Sequence, residues 1–94
     1  MNTHQIIYQR HAVERMAQRW VSEEDVMHVL LTGETIQVYP DDTPFPSELI
    51  LGWRDGRPLH IVVATDSTQQ RKIVITVYEP HLGQWEADFR RKKP

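Results

Sequence analysis

The sequence contains no cysteine. That excludes a disulfide framework, a thiolate zinc site and a cysteine nucleophile, and it suits a reducing cytoplasm. Glycine is scarce, with four residues, and neither G-x-x-x-x-G-K-[ST] nor G-x-G-x-x-G occurs, so a phosphate-cradling loop has no carrier. A G-x-S-x-G nucleophile elbow is also missing. No apolar run approaches the roughly 18–20 residues needed to cross a bilayer. The first residues, MNTHQIIYQRH, lack the apolar stretch and cleavage site of a secretory signal, so a cytoplasmic protein without membrane contact is expected. The histidines, His4, His11, His28, His60 and His81, include no pair at helical i, i+4 spacing and no accompanying carboxylate motif. No metal and no cofactor are therefore expected.

What is present suits one small globular domain. The 94 residues are 39% hydrophobic and 26% charged, which is ordinary for a folded chain and unlike disorder. The net charge of −2 hides an uneven distribution. Residues 1–19 carry Arg10, Arg15 and Arg19 against Glu14 alone. Residues 20–50 carry seven acids and no lysine or arginine, and residues 51–94 carry eight bases and five acids. Basic ends that meet in the fold would form a cationic face despite an acidic isoelectric point; basic ends that pair with the middle would not.

Residues 9–20 read as a helix, with Ala12, Val13, Met16, Ala17 and Trp20 on one stripe and His11, Arg15 and Arg19 beside it. Ser22 then reads as the N-cap of a second helix, with Asp25 closing a short-armed capping box and Gly33 as the C′ residue that ends it. After Gly33 the period changes to two. Strands are expected at 35–39, 47–54, 58–65 and 72–79, with a turn at Asp55-Gly56 and a short edge strand over 84–89. Residues 1–8 read as an N-terminal segment and 90–94 as a flexible basic tail. The expected fold is α+β: two N-terminal helices packed on a four-stranded, mainly antiparallel sheet.

Strand alternation puts Leu59, Ile61, Val63, Ile73, Ile75 and Val77 on the helix-covered face. It puts His60, Val62, Ala64, Val74, Thr76 and Tyr78 on the other. Arg54 joins His60 only if the turn has three residues; a two-residue turn separates them. Two histidines, several arginines, a threonine and a tyrosine, without paired carboxylates or a metal site, suit phosphodiester transfer on RNA. Histidine moves protons near neutrality, and arginine offers phosphate a planar fork. Taken singly, each residue also has an ordinary structural reading, as a satisfied histidine, a strand former or a surface ion pair.

The series His11-Ala12-x-x-Arg15-Met16-x-x-Arg19, Ser22-x-x-Asp25-Val26, Gly33-Glu34, Tyr39-Pro40 and Gly56-Arg57-Pro58-Leu59-His60-Ile61-Val62-Val63 resembles the bacterial domain-of-unknown-function family 4258. Ile75-Thr76-Val77-Tyr78-Glu79-Pro80 and Trp85 continue the match. Trp20 departs from it, standing where the pattern has glycine. The resemblance implies a layout like RelE- and MqsR-type toxins, which are metal-independent ribonucleases paired with antitoxins. On that analogy His60, His11, Arg15, Tyr78 and Thr76 are the catalytic candidates; the ribonuclease reading adds Arg19 and Arg54 as substrate-binding. RNA or the ribosome, an antitoxin protein and a second copy of the chain are the expected partners. The competing expectation is a non-catalytic protein-binding module whose open sheet face docks a partner.

Overall fold

The computed structural model describes residues 4–94, which form two helices and a five-stranded mixed sheet. In chain order the elements are β1 (Gln5–Tyr8), α1 (Arg10–Arg19), α2 (Glu23–Thr32), β2 (Glu34–Tyr39), β3 (Ser47–Arg54), β4 (Arg57–Asp66) and β5 (Arg71–Tyr78). In space the strands run β1-β5-β4-β3-β2. Strands β2 to β5 are antiparallel neighbours, and β1 lies parallel to β5, Gln5 opposite Arg71 and Tyr8 opposite Val74. The class is α+β, but the expected four-stranded, mainly antiparallel sheet is wrong. The fifth strand comes from the segment before the first helix. Four residues show no readable period, and their partner, Arg71–Tyr78, is distant in sequence.

Local chemistry sets the helix ends. Ser22 and Asp25 form a complete capping box: the Asp25 N–H donates to Ser22 Oγ at 3.0 Å, and the Ser22 N–H donates to Asp25 Oδ2 at 2.9 Å. Gly33 ends α2 as expected, with an extended backbone, φ −77° and ψ 178°. Glycine there serves close packing: a Cβ would stand 2.6 Å from the carbonyl oxygens of Leu51 and Val29. Trp20, which ends α1, is left-handed, with φ 56° and ψ 39°.

Asp55 and Gly56 form a two-residue turn with φ of 50° and 76°, and Arg54 pairs with Arg57. Positive φ at both central positions marks the hairpin turn whose twist matches its strands. This fixes Leu51 opposite His60 and Gly52 opposite Leu59.

The main core lies between the helices and one sheet face. Ala12, Met16, Val26 and Val29 pack with Ile50, Leu59, Ile61, Val63, Val74 and Val77. A bulge corrects the expected facing of β5: Val62 pairs with Thr76 but Val63 pairs with Val74, so Ile75 is the extra residue. Val74 thereby enters the core, and Ile75 joins Val62 in a groove on the opposite face.

That opposite face is partly covered. The expected edge strand over 84–89 does not form. Residues 84–93 fold back on themselves instead, bridging Trp85 to Lys92, with the Glu86 N–H donating to the Arg91 carbonyl at 2.8 Å. Trp85 stacks edge-on against His60 at 4.5 Å between ring centres, and Phe89 meets Trp53 at 6.1 Å. Leu49 and Leu51, both buried, belong to the strand beneath.

Candidate functional site

The structure divides the sequence-selected residues into three places. His60 and Tyr78 form the first, across the β4–β5 pair. His60 is fully buried. Its Nε2 lies 2.8 Å from the Phe89 carbonyl oxygen, and its Nδ1 lies 3.2 Å from the Tyr78 hydroxyl. A carbonyl only accepts, so Nε2 carries the proton and donates it. Nδ1 is then bare and accepts from the Tyr78 O–H. Burial pushes the His60 pKa down, opposed by the Phe89 carbonyl, so the ring is held neutral. Burial, and the nearby Tyr39, push the Tyr78 phenol up.

His11 and Thr76 form the second place, where the start of α1 meets β5. His11 Nε2 lies 3.1 Å from Thr76 Oγ1 at the surface. Thr76 and Tyr78 stand two residues apart on β5, about 7 Å along the strand. His11 and His60 hold different partners and make no hydrogen bond to each other. Arg15 follows His11 by one helical turn, exposed, with no hydrogen bond or ion pair among the described residues.

Arg54 belongs to the third place. The two-residue turn puts it on the face opposite His60, against the helices. Its guanidinium donates to the carbonyl oxygens of Trp20 at 2.6 Å and Arg19 at 3.1 Å, and to Asp25 Oδ2 at 3.0 Å. These bonds occupy the fork that substrate binding would require. The Arg19 side chain makes no such bonds among the described residues.

Sequence reasoning passed over the residues that surround Tyr78. A cavity of about 220 Å³ between the sheet and the folded-back segment is lined by Tyr39, Leu49, Tyr78, Trp85, Arg90 and Lys92, with Ile36 and Gln37 at its β2 side. Arg90 is ion-paired with Glu34; Lys92 has no ion-pair partner among the described residues. The signal existed as the Arg90-Arg91-Lys92-Lys93 run and Trp85, but a terminal basic run more often reads as solvated tail.

Beside this cavity lies an open groove of about 620 Å³, floored by Val62 and Ile75 and rimmed by Val38, Tyr39, Asp41 and Asp42. Among the described residues, no three histidine or acidic side chains stand together in a way that would hold a metal ion. No helix of the described residues is long and apolar enough to cross a membrane.

No curated protein and no solved structure matches the chain. The model of the family described as "Domain of unknown function (DUF4258)" matches residues 8–79, which include His11, His60, Thr76 and Tyr78 but not the folded-back segment that covers His60. On that match, over most of its length, the chain belongs to the DUF4258 family.

Proposed function

We propose that the protein is a toxin-like, metal-independent ribonuclease whose site is the cavity around Tyr78. One observation carries the reading: two cationic side chains, Arg90 and Lys92, and two aromatic rings, Tyr39 and Trp85, line a cavity with Tyr78, whose hydroxyl is already hydrogen-bonded to a neutral histidine. Aromatic faces hold unpaired bases, and cations hold phosphate.

The proton path follows from the tautomer. The RNA 2′-hydroxyl gives its proton to the Tyr78 oxygen as the Tyr78 proton moves to His60 Nδ1. The resulting imidazolium is stabilised by its Nε2–H bond to the Phe89 carbonyl. The 2′ oxygen then bonds to phosphorus, and the bond to the 5′ oxygen breaks. That leaving oxygen takes a proton from the Lys92 ammonium, which also balances charge on the phosphoryl oxygens. His60 acts through Tyr78 and is a positioning and proton-holding residue rather than one that touches substrate.

The test is cleavage of single-stranded RNA and of ribosome-bound messenger in EDTA, reading 2′,3′-cyclic phosphate ends. Wild type should cleave, and Tyr78→Phe should lose at least about 100-fold while keeping its fold, as expected for removal of a proton-transfer group. Wild-type protein that leaves both substrates intact overturns the reading.

The apolar groove of Val62 and Ile75 favours a second reading, a protein-binding module with no chemistry. On that reading Tyr78→Phe is silent in every assay, and substitution of Val62 by a charged residue abolishes a stable complex. In a toxin pair the same groove is where an antitoxin would sit, adjoining the site through Tyr39.

A further inference from the structure

Trp20 is 89% exposed, the most exposed large hydrophobic residue of the described chain. Its backbone is left-handed, φ 56°, a conformation that suits glycine or asparagine and costs a bulky L-residue roughly 1 kcal/mol. Nothing in the fold returns that cost to the side chain. Folding needs the turn there: the Trp20 N–H caps Met16 O, and the next residue, Val21, is buried. It does not need an indole. Glycine would make the same turn more cheaply.

The turn is nonetheless held firmly. The Arg54 guanidinium bonds the carbonyls of Arg19 and Trp20 while paired with Asp25, so the backbone presenting the indole is clamped from β3 and α2 together. Trp20 lines an open cleft of about 420 Å³ together with Gln18, Arg19, Arg54, Asp55, Arg57 and Glu79. Glu79 is neutralised by Arg57 at 2.8 Å. The Arg19 side chain is unpaired among the described residues, and Arg15, one helical turn earlier on α1, is exposed and equally without an acid bonded to it. A clamped, exposed aromatic face beside these two cations fits an unpaired base followed by its phosphates.

We infer that Trp20, with Arg19 and Arg15, forms a second contact for single-stranded RNA, stacking a base outside the Tyr78 cavity. This rests on the RNA reading above for the choice of ligand, but it concerns binding and is read separately from cleavage.

The probe is a fluorescein-labelled, fully 2′-O-methylated 12-nucleotide uridine-rich strand, which has no free 2′-hydroxyl to react, followed by anisotropy. Trp20→Gly should weaken binding about tenfold, as loss of one stacked base does. Its melting temperature should equal or exceed that of wild type, because strain is relieved. Trp20→Phe should keep most of the affinity, and Arg19→Ala should lower the salt slope by about one. Should Trp20→Gly fail to fold, Trp20→Asn, which tolerates the same backbone, decides the point. Equal binding by Trp20→Gly and wild type overturns the inference, as does no binding by wild type. A wild-type dimer that Trp20→Gly converts to monomer, without change in RNA affinity, also overturns it and assigns the ring to a second copy. Binding through Trp20 without any cleavage sinks the nuclease reading and leaves this one standing. Cleavage with an unchanged KM in Trp20→Gly does the reverse.

Discussion

The Tyr78 hydroxyl donates its proton to His60 Nδ1, and the direction of that bond is set from the far side of the ring, where His60 Nε2 donates to the Phe89 carbonyl. One buried histidine thus joins β4, β5 and the folded-back segment, and its neutral form is the one the fold requires.

Stability should therefore depend on pH near neutrality. The folded His60 titrates below its ordinary value of 6.5, whereas the unfolded ring titrates near it. Below that value the unfolded chain binds the extra proton, so the contribution is complete above about pH 7 and declines as pH falls through 6.5. Urea denaturation between pH 5 and 8 should show this decline in wild type and lose it in His60→Phe. His60→Ala should destabilise by about 2–4 kcal/mol, combining lost hydrogen bonds with a cavity. Ring ¹⁵N shifts at pH 7 should report the Nε2–H tautomer; an Nδ1–H ring contradicts the assignment.

Arg54 clamps the helix–helix junction, with its side chain largely buried. Arg54→Ala leaves the Arg19 and Trp20 carbonyls without this donor and Asp25, still bonded by the Ser22 N–H, without its cation, and should cost about 2–3 kcal/mol. Arg54→Lys, a point charge without a fork, should recover only part of this. Equilibrium urea unfolding measures both. Loss of less than about 0.5 kcal/mol in Arg54→Ala would show that the junction does not depend on the clamp.

Gly52 lets α2 lie close against β3. A Cβ there would stand 2.6 Å from Val29 Cγ1. Gly52→Ala should destabilise by about 1–3 kcal/mol through overpacking. Val29→Ala removes the two nearest atoms of the clash and leaves Cβ at 2.9 Å, so the double variant should be more stable than the sum of the single losses implies. Additive losses in a double-mutant cycle would place the close approach elsewhere.

Much of the architecture was legible because local rules decide it. Ser22 and Asp25 announce their capping box through three-residue spacing alone. Asp55-Gly56 announces a hairpin, and the alternation over 58–65 gives its faces correctly. The site was less legible. His60 and Tyr78 were selected by residue type and strand phase, yet the partner that sets their proton arrangement, Phe89, belongs to a segment whose expected strand never forms.

Contacts within a few residues decide where α2 starts, through the Ser22–Asp25 capping box, and that the chain reverses at Asp55-Gly56; the lack of cysteine excludes thiol chemistry whatever the fold. Tertiary structure alone decided the rest. It made β1 the parallel partner of β5, because a four-residue strand acquires its register only from the chain it meets. It inserted Ile75 as a bulge that exchanges the facing of Val74 and Ile75. It selected the two-residue turn that parts Arg54 from His60. It buried His60 beneath Trp85 and Phe89, because an imidazole removed from water must find both its hydrogen-bond partners, and these lie where the folded chain, not the local sequence, brings them.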